Sequence, residues 1–196
     1  MRLESALEII GALKRGFGEP MTVTDICRAG PLSYQPVYDH VQRLAAEGAL
    51  VLRKTGQRLL CEPAATPAGA LWLALFSLRE LAAMESAALQ AVAARLPDCP
   101  PGAVAVAEVV GRELRLYVTD PVGVMPGQGA PAEVVPLEGL PALLRGPQAD
   151  WAFTRRAVPL AGQQLFWSLA LRTRETSSSL RPPAPAAGAR RLSVFD

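Results

Sequence analysis

The chain has 196 residues, half of them hydrophobic and 19% charged, with a formal net charge of +2. That is material for one domain or two small ones around a packed core, and it excludes a chain disordered throughout; so small a net charge neither demands nor excludes a nucleic-acid partner. One histidine, His40, and three widely spaced cysteines, Cys27, Cys61 and Cys99, exclude His-rich metal sites, CxxC redox motifs and a disulfide scaffold, and no cofactor is expected.

From Leu3 to Leu13 the apolar residues Leu3, Ala6, Leu7, Ile10 and Leu13 recur at helical spacing, until Gly16, Gly18 and Pro20 end the pattern. In the next run, MTVTDICRAG, Thr22 or Thr24 caps a short helix that buries Val23, Ile26 and Cys27 and stops at Gly30-Pro31. Ser33 then caps a longer helix, with Pro36 in its first turn, Val37, Val41, Leu44 and Ala45 on its apolar side and Gly48 at its end. Two alternating runs, ALVLRK and QRLLCE, flank Lys54-Thr55-Gly56-Gln57, where Gly56 supplies the positive φ of a tight hairpin turn. Helix, short helix, longer helix and β-hairpin within about 60 residues is the winged helix-turn-helix plan.

Residues 37–53, VYDHVQRLAAEGALVLR, resemble the recognition helix and first wing strand of MarR- and ArsR-type bacterial repressors. Val37 and Val41 take the apolar positions of that pattern, His40 its histidine, Leu44 its leucine and Gly48-Ala49-Leu50 its glycine–leucine corner. Tyr38 and Asp39 depart from it, standing where such repressors often carry Ser and Arg. The similarity covers the first third of the chain and implies a DNA-binding transcriptional regulator. In a helix lying in a major groove, the side opposite Val37, Val41 and Leu44 faces the duplex, which places Ser33, Gln35, Tyr38, Asp39 and Gln42 toward bases and Arg43 toward a phosphate. A glutamine can bond adenine through two contacts, and an aspartate can accept from cytosine N4. Arg53, Lys54, Gln57 and Arg58 around the hairpin tip suit phosphates or a minor groove, whereas Glu4 and Glu8 on the first helix point away. The competing reading is a winged helix that makes protein contacts only.

Residues 66–96 form one helix in this reading, with Leu71, Leu75, Leu78, Ala82, Leu89 and Val92–Leu96 on one side and Trp72 and Phe76 on a second flank. So wide an apolar arc suits pairing with a second copy, so a homodimer through 66–96 is expected on double-stranded DNA. Residues 103–172 read as an α+β module for ligand sensing or oligomerisation, with a small molecule or a protein as its partner. AVAVAEVV, ELRLYVT, AEVVPL, DWAFTRRAVPL and QQLFWSLALRT supply about five strands, mainly antiparallel, and GLPALLRG a short helix. Asp120–Pro131 reads as a mobile connection rather than a ligand lid, and its Gly127-Gln128-Gly129 is no phosphate loop, because no Gly-Lys-Ser/Thr follows. Residues 173–196, rich in Ser, Pro, Ala and Arg, read as a disordered tail.

Charge is lopsided: residues 1–63 hold 8 basic and 7 acidic groups, residues 100–150 hold 3 against 6, and residues 151–196 hold 7 against 2. His40 reads as a packed or rim histidine, Cys27 and Cys61 as core thiols and Cys99 as part of a linker. Glu108, Glu113, Asp120, Glu133, Glu138 and Asp150 show no paired spacing for hydrolysis, so no enzyme activity is expected. Met1-Arg2-Leu3-Glu4 leads straight into an amphipathic pattern, and the longest apolar run, Ala68–Leu78, falls short of the roughly 20 residues that cross a bilayer. The expected fold is therefore α+β: a winged helix-turn-helix at 1–63, a long helix at 66–96, a small domain at 103–172 and a tail at 173–196. The expected function is a cytoplasmic, sequence-specific transcriptional regulator with no membrane partner. The alternative is a winged-helix adaptor of replication, partition or mobile-element machinery.

Overall fold

A computed structural model of the chain describes residues 3–83, 102–110, 113–119 and 132–179. Helix α1 (Leu3–Arg15) leads to a two-residue strand β1 (Met21–Thr22), helices α2 (Val23–Ala29) and α3 (Tyr34–Ala46), and strands β2 (Leu50–Thr55) and β3 (Arg58–Pro63). Helix α4 (Pro67–Ala83) connects these to β4 (Ala105–Val110), β5 (Glu113–Val118), β6 (Ala132–Val134), α5 (Leu140–Arg145), α6 (Ala152–Arg156), β7 (Val158–Ala161) and α7 (Gln163–Ser179). The architecture is α+β, with a three-stranded antiparallel sheet ordered β1-β3-β2 and a four-stranded sheet ordered β6-β5-β4-β7. The second sheet is mainly antiparallel; only β5 and β6 run parallel.

Local chemistry accounts for the element ends. Thr22 caps α2 in a reciprocal box: its hydroxyl accepts from the Asp25 N–H while the Asp25 side chain accepts from the Thr22 N–H. Ser33 occupies the position before α3 with extended backbone, but its hydroxyl makes no capping bond, contrary to its expected role. Gly56, at φ 61, turns the β2–β3 hairpin as its sequence position requires. Strand β1, absent from the sequence reading, adds to β3 through Met21↔Cys61 and Thr22↔Leu60; two residues are too few to carry an alternation signal.

Three expectations for the second half need correction. QQLFWSLALRT, expected as a strand, is the body of α7: its buried residues are Phe166, Trp167, Ala170 and Leu171, a helical spacing that its aromatic, strand-like composition masks. In DWAFTRRAVPL the first part is α6, and only Val158–Ala161 is strand. Residues 173–179, assigned to the tail, continue α7, and Arg174 is buried there. Residues 180–196, 84–101 (with Cys99 and the end of the expected long helix) and 120–131 lie outside the described residues.

One apolar cluster joins both halves: α1, α3 and the hairpin share it with Ala70, Leu73 and Phe76 of α4 and with Phe166, Trp167, Ala170 and Leu171 of α7. Val106 and Tyr117, on one face of the second sheet, belong to it as well, whereas Ala105, Ala107, Leu116 and Val118, on the other face, form a separate cluster with Val158 and Leu160. The turn after α1 is the main joint. Phe17 packs edge-on to Trp151 at 5.4 Å between centroids and lies 5.8 Å from Trp167, whose indole N–H donates to Ser77 Oγ at 2.9 Å. Only glycine fits at position 18, because φ is +96 and a Cβ there would come within 2.2 Å of the Trp151 ring. Arg155 closes the joint, donating to the Phe17 carbonyl at 2.9 Å and pairing with Glu19.

Lys14 of α1 is only 2% exposed and ion-paired to Glu80 of α4, beside the Phe76 ring. Burial holds its ammonium below the ordinary lysine range, and Glu80 offsets part of that. Removing Glu80 strands a buried ammonium, whereas removing Lys14 leaves a carboxylate that is 30% exposed and open to water. Glu80→Ala should therefore lower stability by about 3–5 kcal/mol, whereas Lys14→Met should leave it within about 1 kcal/mol or raise it. Urea denaturation of the two variants checks this; equal large losses would contradict it.

Candidate nucleic-acid interface

Helix α3 is amphipathic in the simplest way. Val37, Val41 and Leu44 are fully buried, and Ser33, Gln35, Tyr38, Asp39, Gln42 and Arg43 are all exposed. Positions 35, 38, 39 and 42 stand three and four residues apart and so share one side of the helix. Two features of that side were not foreseen. The Gln35 amide donates to Asp39 Oδ1 at 2.9 Å, so each side chain already has a partner one turn away. Tyr34 stacks on Tyr38, with centroids 6.2 Å apart and ring planes 13° from parallel, and leaves an aromatic pair in solvent. The i,i+4 spacing of the two tyrosines was the available signal for Tyr34.

On the hairpin, Arg53, Lys54, Gln57 and Arg58 are likewise exposed. They are not equivalent, because successive strand residues point to opposite faces. Arg53 pairs with Glu62 of β3 at 3.0 Å, a diagonal cross-strand contact, and the other oxygen of Glu62 lies 3.8 Å from Arg174 of α7. Arg174 is buried, donates to the Pro63 carbonyl and lies over the Phe17 ring at 5.5 Å. Arg43 and Lys54 have no ion-pair partner among the described residues. A cleft of about 330 Å³ separates α3 from the hairpin tip, with Tyr34 on one side and Gln57 and Arg58 on the other. Glu8, expected to face away, pairs with Arg79 of α4, and Glu4 is exposed.

The remaining candidates are structural in their surroundings. His40 is half-buried, and its Nδ1 has no hydrogen-bond partner among the described residues. Cys61 is buried, and desolvation pushes its thiol up to about 11, so it stays protonated at neutral pH. Cys27 is half-buried. Glu108 is buried and accepts from Arg156 Nε at 2.9 Å and Nη2 at 2.6 Å, while the Tyr117 hydroxyl lies 3.3 Å from its other oxygen. These groups line a cleft of about 280 Å³ with Phe153. Asp150 accepts from the Ala152 N–H at 3.2 Å, at the start of α6. Among the described residues no group of three His, Cys, Asp or Glu side chains could hold a metal ion, and no helix is long and apolar enough to cross a membrane.

Comparison with protein-family models, with curated proteins and with solved structures finds no match.

The α2 cap beside this surface has a pH signature. The Thr22 hydroxyl and N–H hold the Asp25 carboxyl below the ordinary range, and Arg28 and Arg58 add to that. A depressed carboxyl pKa stabilises fully above its unfolded value and loses the effect as the pH falls through the folded one. Asp25→Asn should thus be about 0.2–1 kcal/mol less stable than the parent at neutral pH, because solvent screens so exposed a group, and the gap should close below about pH 4. Thermal melts across pH test this; a gap that persists undiminished into acid would contradict it.

Proposed function

We propose that the chain binds double-stranded DNA as a winged helix-turn-helix and regulates transcription, with α3 in the major groove and the β2–β3 hairpin as its wing. The observation that carries this reading is that the whole outward side of α3 and all four tip residues of the hairpin are exposed. Tyr34 and Arg58 face one shared cleft, and the resemblance of residues 37–53 to MarR- and ArsR-type repressors points the same way.

Pairing of two copies is part of the proposal. Leu71, Leu75 and Leu78 of α4 are 48%, 37% and 47% exposed, an apolar stripe at i, i+4, i+7. The opposite side of that helix, with Ala70, Leu73 and Ala74, is already used by the shared core. A second copy covering this stripe gives the two-fold symmetry that palindromic half-sites need. The Glu108–Tyr117–Arg156 cleft is one candidate place for a small effector in the second half, and a cytoplasmic setting follows from the DNA reading.

The second reading, an adaptor of replication, partition or mobile-element machinery, is favoured by two observations: the Gln35 amide already donates to Asp39, and Arg43 is the sole cation on the outer side of α3. Selection of bound sequences from a random duplex pool at physiological salt separates the two. A palindromic motif is expected, with Gln42→Ala relaxing preference at one position by about 1–3 kcal/mol. Lys54→Ala should weaken all sequences alike and lower the salt slope by about 1, and Arg53→Ala should do less, because Glu62 already holds that side chain. No enrichment from the pool would overturn the regulator reading.

A further inference from the structure

The cleft between α2, α3 and the hairpin is polar and cationic. Arg28 of α2 and Arg58 of β3 enter it from two different elements, and Thr24, Tyr34 and Gln57 bring a hydroxyl, a phenol and an amide. Among the described residues none of these last three groups makes a hydrogen bond. The one acid present, Asp25, is turned toward the cap: its Oδ2 takes the Thr22 hydroxyl at 2.6 Å and the Thr22 N–H at 3.1 Å. Its other oxygen lies 3.7 Å from Arg28, a solvent-exposed contact that holds the guanidinium weakly. Two arginines against one capped carboxylate leave the cleft with an excess positive charge and spare donors.

That set of groups has a definite preference. Guanidinium forks match the oxygens of a tetrahedral oxyanion, and hydroxyl and amide donors complete its shell. A cationic ligand would meet two arginines, and an apolar one would strand the donors. About 330 Å³ is ample room for a phosphate group with its ester substituents.

We infer that this cleft is a phosphate site, with Arg28 and Arg58 as its charge partners and Thr24, Tyr34 and Gln57 as donors. Its position beside the outward side of α3 makes a strand of bound duplex the nearest source of that phosphate, and this placement rests on the DNA reading above. A free phosphorylated molecule would offer the same chemistry. Thr24, Arg28 and Tyr34 thereby join the interface, though none of them belongs to the outward set expected from α3 and the hairpin alone.

Two measurements on the full chain test this. In the first, duplex binding is followed by fluorescence anisotropy over a range of salt for the parent, Arg28→Ala, Arg28→Lys and Arg58→Ala, with Arg172→Ala, on the exposed side of α7, as control. Arg28→Ala and Arg58→Ala should each weaken binding roughly five- to tenfold for every sequence and lower the salt slope by about 1, with Arg28→Lys restoring the slope. Arg28 is largely exposed, so its variants should melt like the parent. In the second, inorganic phosphate is titrated into the duplex-free chain, and backbone amide shifts are followed by NMR against a chloride control. Saturable shifts confined to residues 24–28, 34 and 57–58 support the site. Shifts there, together with duplex binding indifferent to Arg28, assign the phosphate to a free molecule. If the parent binds duplex while Arg28 and Arg58 are both immaterial and phosphate moves nothing, the site is overturned and the DNA reading stands. If no duplex binds but phosphate still shifts the cleft, the DNA reading fails and the site stands.

Discussion

Helix α1 has almost no free side. Ala6, Leu7, Ile9, Ile10, Gly11, Ala12, Leu13 and Lys14 are all buried, between α3 and the hairpin on one flank and α4 on the other. A helix enclosed in this way sets the positions of its neighbours, because close-packed interiors allow few alternative arrangements. It also forces a lysine into the core, which is tolerable only because Glu80 reaches it from α4. Where α1 ends, Phe17 and Gly18 are gripped by Trp151 and Trp167, and Arg155 and Arg174 reach back from the second half onto the Phe17 and Pro63 carbonyls. The two halves of the sequence are thus bound by burial and by charged groups together.

What α1 encloses determines what is left outside. With Val37, Val41 and Leu44 fixed against it, the other side of α3 must face solvent, and that side holds Gln35, Tyr38, Asp39 and Gln42. The hairpin is tied at its base by Arg174 and Glu62, which leaves its tip as the part that projects. The proposed DNA-reading surface is therefore the residue of a packing problem solved elsewhere. Arg53 shows the limit of that freedom: it is exposed, yet its charge is shared with Glu62 and, through Glu62, with a buried arginine of α7.

Much of this was legible in the amino-acid order. Apolar residues at helical spacing located α1 and α3, Gly56 located the hairpin turn, and alternation in AVAVAEVV and ELRLYVT located β4 and β5. These signals are local, resting on the spacing of near neighbours or on a single glycine rather than on a distant partner. The misses are of other kinds. QQLFWSLALRT reads as a strand because its aromatic and β-favouring residues outweigh a helical period that shows only in which side chains are buried. The partnership of Glu62 with Arg174 joins residues far apart in the chain, and no local pattern announces it. The same holds for Arg28 and Arg58, which sequence spacing keeps apart and folding brings to one cleft. The exposure of the expected site residues was foreseeable from periodicity; the Gln35–Asp39 and Tyr34–Tyr38 pairings depend on rotamers that periodicity does not specify.

On the proposed reading one surface, the outward side of α3 with the hairpin tip, receives duplex DNA while α1 stays enclosed. Hydrogen exchange of the full chain, with and without a saturating duplex, tests it most directly. Added protection is expected at residues 33–43 and 53–58, with no change in α1, whose burial should already make its exchange slow. Protection gained instead on the β4–β7 sheet, with the α3 face unaffected, would contradict it.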